Sequence, residues 1–171
     1  KHLPPRLLAH LDRGSEVLDV GSYDGSLAHL LLQGDPTLSL TAVDVVAAPT
    51  PCIPVQLYDG HRLPFADNAF DAVTLVDVLH HDNDPQAVLR EAARVARGKV
   101  VVKDHYWTTA PERWILCFSD YLGNRHRGVN LPNNYLKPRE WDALFDAAGL
   151  RVTARETFRY GFHDLGNQVI F

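Results

Sequence analysis

Two acidic residues follow apolar runs near the start of the chain, where each could bind a polar ligand. Asp19 lies in the run from Glu16 to Val20, just before a turn bracketed by Gly21 and Gly25. A tight turn that leads straight into a helix brings backbone N–H groups and a carboxylate together at the end of a strand. In open parallel sheets, ligands bind at this edge. The alternative interpretation is a plain turn that uses glycine for its backbone angles.

Asp44 ends the second apolar run, 25 residues after Asp19. A carboxylate at the tip of a second strand can accept two hydrogen bonds from the hydroxyls of a ribose. The alternative is an aspartate that only caps a turn. Taken together, the two carboxylates favour a ligand that contains a nucleoside.

A second group of candidate residues follows the fourth and fifth predicted strands. Histidine is suited to proton transfer because its ordinary pKa lies near neutrality. The candidate general bases are His80, His81, Asp104, His105 and Tyr106. Contact with a substrate is expected from Asp104, Asn134 and Tyr135. For the adjacent pair of histidines, the alternative is that they shape a pocket without touching the substrate.

The segments that must position these residues alternate between short apolar runs and amphipathic helices. The predicted strands are Glu16–Val20, Ser39–Val46, Ile53–Leu57, Phe70–Val78, Lys99–Lys103, Leu150–Phe158 and Asn167–Phe171. Predicted helices begin at Ser26, Pro85 and Pro138, and another follows a capping box formed by Thr109 and Glu112. This pattern predicts an α/β fold with a mostly parallel seven-stranded sheet, an antiparallel edge strand and a helical insert after strand 5.

Residues 104–137 are longer than an ordinary connection in an α/β unit, and we expect them to form a cap over the substrate. The helix in this insert carries an apolar stripe, which is expected to lie against an apolar surface. The stripe consists of Trp114, Ile115, Cys117, Phe118, Tyr121 and Leu122. The loop that follows offers Arg125, His126, Arg127 and Asn133 to a polar acceptor. A loop that is merely solvated is the alternative interpretation.

The composition excludes several classes of function. The 171 residues include 17 Lys+Arg and 21 Asp+Glu, a net charge of −4, and the basic residues are scattered, which argues against nucleic-acid binding. No apolar run approaches the length of a membrane span, so we expect a cytoplasmic protein with no membrane partner. The histidines and the two cysteines have no spacing typical of metal ligands, so no metal site is predicted. A single domain over residues 1–171 is expected, and the oligomeric state is left open.

Several short motifs, in order along the chain, together resemble a known enzyme family. They are Asp19-x-Gly21-x-x-x-Gly25, Asp44, Tyr58-Asp59-Gly60, Leu63-Pro64-Phe65, Phe70-Asp71 and Asp77-Val78-Leu79-His80-His81. The ordered set is similar to the class I S-adenosylmethionine-dependent methyltransferases, in the small-molecule branch that is also called methyltransferase type 11-like. This resemblance implies a Rossmann-like, doubly wound version of the predicted sheet.

The resemblance also implies a cofactor, S-adenosyl-L-methionine, with S-adenosyl-L-homocysteine as its product, and a role for each matching residue. The methionine moiety would lie against the turn that contains Asp19, Gly21, Ser22, Tyr23 and Gly25. Asp44 would hold the ribose, Val45 would flank the adenine, Asp59 and Gly60 would meet its polar edge, and Asp77 would lie beside the cofactor. Tyr23 departs from the family, which often has glycine at that position.

The implied reaction is in-line methyl transfer to a small-molecule acceptor. Two alternatives remain open. One is transfer of a different group from the same cofactor, although the sequence has no paired acidic residues that would form a diamine pocket. The other is a domain that keeps the fold and binds the nucleoside without catalysis.

Overall fold

The computed structural model describes residues 2–126, 130–160 and 166–171. The helices are α1 (Leu3–Leu8), α2 (Ser26–Gly34), α3 (Pro85–Val95), α4 (Ala110–Asn124) and α5 (Pro138–Ala147), with a single 3-10 turn at Leu79–His81. The strands are β1 (Glu16–Val20), β2 (Ser39–Asp44), β3 (Val55–Leu57), β4 (Phe70–Val76), β5 (Ala96–Tyr106), β6 (Glu156–Phe158) and β7 (Asn167–Ile170). Among these residues, no helix is long and apolar enough to cross a membrane.

The seven strands form one sheet in the order β3-β2-β1-β4-β5-β7-β6. Strand β1 runs parallel to β2 and β4, and β2 runs parallel to β3. Strand β7 is antiparallel to both β5 and β6. The predicted α/β class, with its mostly parallel sheet and antiparallel edge, is therefore confirmed.

The chain divides into two compact units. Unit 1 consists of Lys1–Val76 and Glu91–Val101, and unit 2 consists of Asp77–Arg90 and Val102–Phe171. The centre of unit 1 is strand β1, which pairs with β2 on one side and β4 on the other, and its Val17 and Leu18 side chains are completely buried. Burial of each such side chain contributes about 1.5–3 kcal/mol to folding.

The core of unit 2 is aromatic. Trp141 and Phe145 lie one turn apart on α5 and are both buried, and Phe171 packs against each of them. Helix α5 begins with a proline, and the backbone N–H of Lys137 donates to the Glu140 carboxylate at 2.7 Å, so one free amide at the helix start is satisfied.

Strand β5 is longer than predicted. It covers Ala96–Tyr106, whereas the sequence predicts a strand only over Lys99–Lys103. The extension beyond Lys103 exists because the partner strand β7 pairs with β5 from Lys103 to Tyr106 and satisfies its backbone hydrogen bonds. The residues from Asp104 to Tyr106 therefore lie at the end of a strand rather than at the start of an insert.

The expectation that the apolar stripe of α4 lies against an apolar surface is wrong for most of its members. Trp114 is 66% exposed, and Phe118, Tyr121 and Leu122 are also exposed. Among the apolar residues of this helix, only Leu116, which lies outside the predicted stripe, is buried. The rings of Trp114 and Phe118 stack on each other, with centroids 5.3 Å apart. The capping box that starts the helix is present as predicted.

Candidate active site

The turn after β1 requires glycine at two positions. Gly21 and Gly25 have φ angles of +77° and +72°, in the left-handed region that side chains disfavour. A Cβ atom at Gly25 would lie 2.5 Å from Cγ1 of Ile53, which is too close for any side chain. The backbone N–H groups of Gly21 and Ser22 both donate to the Val43 carbonyl, so the turn is fixed to β2.

Tyr23 has the same left-handed conformation without being a glycine. Its φ angle is +47°. Its backbone N–H donates to Oδ2 of Asp44 at 2.6 Å, and the N–H of Val46 donates to Oδ1 at 2.9 Å. The buried Asp44 carboxylate therefore holds the glycine turn against the end of β2, and its remaining lone pairs can still accept hydrogen bonds from a ligand.

Asp19 lies in β1 beside Thr74 of β4, and its side chain is almost completely buried. Burial raises the pKa of Asp19, while the hydrogen bond from the Thr74 hydroxyl, at 2.6 Å, acts in the opposite direction. The Thr74 side chain thus fixes the orientation of the Asp19 carboxylate next to the turn. Such a fixed buried acceptor suits a cationic or N–H-bearing group of a ligand.

Three further predicted cofactor residues lie close together, just after the ends of β2 and β3. Val45 is 55% exposed although it directly follows β2. A Cβ atom at Gly60 would approach Cγ1 of Val45 to 3.2 Å, so glycine keeps this space free. Asp59 accepts hydrogen bonds from the backbone of Arg62 and His61, which lower its pKa. The exposed Val45 side chain suits contact with the face of a planar base, and the ordered polar turn at Asp59 suits contact with its edge.

In unit 2, His80 and Asp104 form a buried pair. Nδ1 of His80 lies 2.6 Å from Oδ1 of Asp104, which also accepts the backbone N–H of His105 at 2.7 Å. Burial on its own would raise the pKa of Asp104, but the adjacent His80 and His105 lower it. The aspartate is therefore ionised, and His80 presents its Nδ1–H to it.

Asp77, which the resemblance places beside the cofactor, is bound by a lysine. The buried Lys103 ammonium donates to both carboxylate oxygens of Asp77, at 2.6 and 2.7 Å. Nδ1 of His105 lies 3.1 Å from the same carboxylate. Burial lowers the pKa of His105, but Asp104 and Asp77 outweigh it and raise the pKa to about 9. Asp77 thus belongs to a network of paired charges.

The structure brings the predicted substrate residue Tyr135 against His80. The two rings stack with centroids 4.7 Å apart. Burial and the nearby Asp120 carboxylate both raise the pKa of Tyr135, so its hydroxyl stays protonated. Asn134 donates its side-chain amide to the carbonyl of Asp82 at 2.6 Å, and this bond anchors the segment before α5.

Asp120 is a residue of this cluster that sequence analysis missed. Its Oδ1 lies 3.6 Å from Nε2 of His81 and 4.0 Å from Nε2 of His80. The one signal in the sequence is an acidic residue placed between Phe118 and Tyr121, which belong to the apolar stripe of this helix. Of the other candidates, Tyr106 is half-buried at the end of β5, Arg125 and His126 are exposed, and Arg127 lies outside the described residues.

Residues 1–155 match a protein family described as a methyltransferase domain. The chain belongs to this methyltransferase family. The match covers most of the sequence, so the resemblance drawn from its motifs, to class I S-adenosylmethionine-dependent enzymes, is confirmed.

Individual relatives agree with this assignment. A demethylmenaquinone methyltransferase of Thermotoga maritima is 34% identical over 91 residues, which are 49% of this chain and 40% of that protein. The chain thus spans well under half the length of this curated relative. The YcgJ protein of Bacillus subtilis superimposes with a TM-score of 0.66 at 22% identity, covering 94% of this chain and 75% of that one.

A third similar protein was solved with ligands. It is the 1,6-didemethyltoxoflavin-N1-methyltransferase of Burkholderia thailandensis, with bound 1,6-didemethyltoxoflavin and S-adenosylhomocysteine. Its TM-score is 0.70 at 18% identity, and the alignment covers 98% of this chain and 74% of that chain. At this level of identity, the similarity shows a shared fold.

Proposed function

We propose that the chain catalyses methyl transfer from S-adenosylmethionine to a small-molecule acceptor. The observation that carries this proposal is the arrangement around the turn after β1. Two buried carboxylates, Asp19 and Asp44, lie on either side of a glycine turn into which no side chain fits at Gly25. Family membership supports the same conclusion.

The residues present fit this cofactor. Asp44 would accept hydrogen bonds from the ribose hydroxyls with the lone pairs that the backbone of Tyr23 and Val46 leaves free. The exposed Val45 and the space kept open at Gly60 would take the adenine. Asp19 would face the amino-acid end. When bound, the cofactor supplies an electrophilic methyl group on a sulfonium.

The chain itself mainly has to align the acceptor and exclude water. Positioning of this kind lowers a barrier by about 7–11 kcal/mol. His80 is only 3% exposed, and its Nδ1 is bound to Asp104, so it is unsuited to reach a substrate. We therefore assign contact with the acceptor to His105 and Tyr106, which are half-buried at the end of β5.

For the acceptor class, we propose an aromatic ring of the quinol type, methylated at carbon. The support comes from the Thermotoga relative, which is named as a demethylmenaquinone methyltransferase. In such a reaction, a ring carbon forms the new bond to the methyl group and then loses its hydrogen as a proton. A mass-spectrometric assay with a short-chain demethylmenaquinol would show a product heavier by one methylene unit, and an unchanged substrate would exclude this acceptor.

The test of cofactor binding is titration calorimetry with S-adenosylmethionine and S-adenosylhomocysteine, with NAD as a control ligand. We expect saturable binding of the first two at one site and none of NAD. The Asp44→Ala variant should bind neither of the two adenosyl ligands. Asp12→Ala is the matched control because the Asp12 side chain is exposed and pairs with Lys99 on the surface, so this variant should bind like the wild type. Failure of the wild type to bind either adenosyl ligand would refute the proposal.

A further inference from the structure

We propose that His80, His81 and Asp120 form a binding site for a divalent transition-metal ion, with zinc as the ion that these donors favour. The site lies wholly within unit 2. It was not predicted from the sequence, because the adjacent histidines and the distant aspartate have no recognisable ligand spacing. The proposal depends on neither the cofactor nor the acceptor, so its test can fail or succeed independently of the proposed function.

The hydrogen bonds of His80 and His81 fix which ring nitrogen carries the hydrogen. Nδ1 of His80 faces the carboxylate of Asp104 at 2.6 Å, and Nδ1 of His81 faces the backbone carbonyl of Asn130 at 3.0 Å. Both partners can only accept, so each Nδ1 carries a hydrogen. In a neutral imidazole, the lone pair then lies on Nε2. Metal-binding histidines are commonly oriented in this way, with the second nitrogen donating to a carboxylate or a carbonyl.

Asp120 has a buried carboxylate whose hydrogen bonding is incomplete. Its side chain is only 7% exposed, and Oδ1 accepts a hydrogen bond from the Asn124 amide at 2.6 Å. Oδ2 is buried, and the donor that interacts with this carboxylate besides Asn124 is the Tyr135 hydroxyl, which makes no well-formed hydrogen bond to Oδ2. Burying a carboxylate oxygen that accepts no hydrogen bond destabilises the folded state unless a cation or a hydrogen-bond donor lies beside it.

The potential ligand atoms of His80, His81 and Asp120 lie close together. Oδ1 of Asp120 lies 3.6 Å from Nε2 of His81 and 4.0 Å from Nε2 of His80, and suitable ligand atoms of all three residues lie within 4.8 Å of one another. These separations are too long for direct hydrogen bonds. Zinc forms bonds of about 2.0–2.2 Å to nitrogen and oxygen, so one ion can span both of the measured distances.

A neighbouring group of titratable side chains differs from the cluster of His80, His81 and Asp120 because it already contains a lysine cation. Asp77, His80, Asp104 and His105 also converge, but there the Lys103 ammonium already lies at 2.6 Å from Asp77 and supplies the positive charge. Around Asp120, the part of the chain that the structure describes contributes no lysine or arginine within salt-bridge distance. The second cluster therefore has no side-chain cation other than the histidines themselves, and when both histidines are neutral its three ligand atoms are all acceptors.

The donor set defines the class of ion. Two imidazole nitrogens and one carboxylate suit zinc and its first-row neighbours, whereas magnesium and calcium prefer oxygen ligands. Three protein ligands leave a fourth position for water or for an oxygen atom of a bound molecule. Asp104 and Asn130 would then act as positioning residues that fix the two rings.

The test is titration calorimetry of tag-free, chelator-treated protein with zinc chloride alone. We expect one equivalent to bind. Asp120→Asn and His81→Ala should each remove that binding, and Asp104→Asn should weaken it about 10–100-fold, as loss of an orienting carboxylate usually does. His29→Ala is the matched control, because this exposed histidine on α2 bonds to Gln33 outside the proposed site, and the substitution should leave binding unchanged.

A second measurement guards against variants that fail to fold. Cobalt(II) added to the wild type should produce visible d–d absorption bands that zinc abolishes, and thermal unfolding should shift to higher temperature with zinc present. Circular dichroism would confirm that Asp120→Asn, which preserves side-chain volume, remains folded. If the wild type shows no saturable binding, or if folded Asp120→Asn binds zinc as tightly as the wild type, the proposal is wrong.

Discussion

The carboxylate of Asp44 accepts a hydrogen bond from the backbone of Tyr23 at 2.6 Å, across the gap between β2 and the turn after β1. This contact holds Tyr23 in a conformation, φ +47°, that a residue with a side chain rarely adopts. One carboxylate therefore has two tasks, because it fixes the turn and offers its remaining lone pairs to a ribose. Loss of Asp44 is expected to affect the shape of the cofactor site as well as its hydrogen bonding.

Gly25→Ala should destabilise the protein strongly. The new methyl group would lie 2.5 Å from Cγ1 of Ile53, and the φ angle of +72° is itself unfavourable for alanine. We expect a loss of about 2–4 kcal/mol, measured by urea unfolding. Gly14→Ala is the matched control, since Gly14 has a φ of +74° and no atom within 4 Å, and it should lose only about 1 kcal/mol. Equal losses in the two variants would contradict the steric argument.

Truncation of two tryptophans should have very different effects. Trp141 is 1% exposed and donates its indole N–H to the carbonyl of His105 at 3.2 Å, so Trp141→Ala should cost about 3–5 kcal/mol. Trp114 is 66% exposed, and Trp114→Ala should change the free energy of unfolding by no more than about 0.5 kcal/mol. Denaturant unfolding of both variants measures the difference. A large loss for Trp114→Ala would mean that the exposed face of α4 is covered in solution.

Lys103→Met should destabilise unit 2, because it leaves the carboxylate of Asp77 without its buried cation. Asp77 is itself partly exposed, which reduces the expected cost to about 2–3 kcal/mol. The double variant Lys103→Met/Asp77→Asn should recover part of this loss. Asparagine tolerates the left-handed conformation of residue 77, where φ is +56°. A double-mutant cycle, measured by urea unfolding, gives the coupling energy between Lys103 and Asp77. If the destabilisations of the two single variants simply add in the double variant, the expected coupling is absent.

Glu112 should make stability depend on pH in the acidic range. Hydrogen bonds from Thr108 and Thr109 at the start of α4 lower the pKa of Glu112 to about 2. Its ordinary value is near 4.5, so the folded state favours the ionised form. The stabilisation is present above pH 4.5 and is lost as the pH falls towards 2.

The matched variant for this effect is Glu112→Gln, which keeps an acceptor oxygen but cannot ionise. At pH 7 we expect it to be less stable than the wild type by about 0.5–1 kcal/mol, because it lacks a negative charge near the helix N-terminus. Urea unfolding at pH 7, 4.5 and 3 should show the gap between the two proteins narrowing as the pH falls. A constant gap would refute the assignment to Glu112.

The sheet and the turn around Asp19 are predictable from the sequence because they depend on local patterns. Apolar runs, glycines and a capping box are visible over a few residues, and they define where strands and helices begin. The exposure of Trp114 was not visible in this way. Helical periodicity shows that a face is apolar, but it does not show whether another part of the protein covers it.

The cluster around His80 was only partly predictable. His80 and Asp104 were each identified as polar residues after a strand, yet their contact at 2.6 Å depends on how β5 continues to Tyr106. That continuation follows from pairing with β7, more than sixty residues later in the chain. Asp120 was overlooked because nothing local links a helical aspartate to histidines forty residues earlier. Long-range contacts of this kind come from the fold as a whole.

Segments of the two units alternate along the chain, so part of unit 2 is synthesised before unit 1 is complete. Unit 1 ends with Glu91–Val101, which is synthesised only after the first segment of unit 2, Asp77–Arg90. Strand β4 therefore leaves the exit tunnel before its neighbour β5 exists, and one of its edges stays unpaired in the meantime. Nascent chains that stall between these two strands would expose the apolar edge of β4, so this interval of translation is where aggregation or chaperone capture should concentrate.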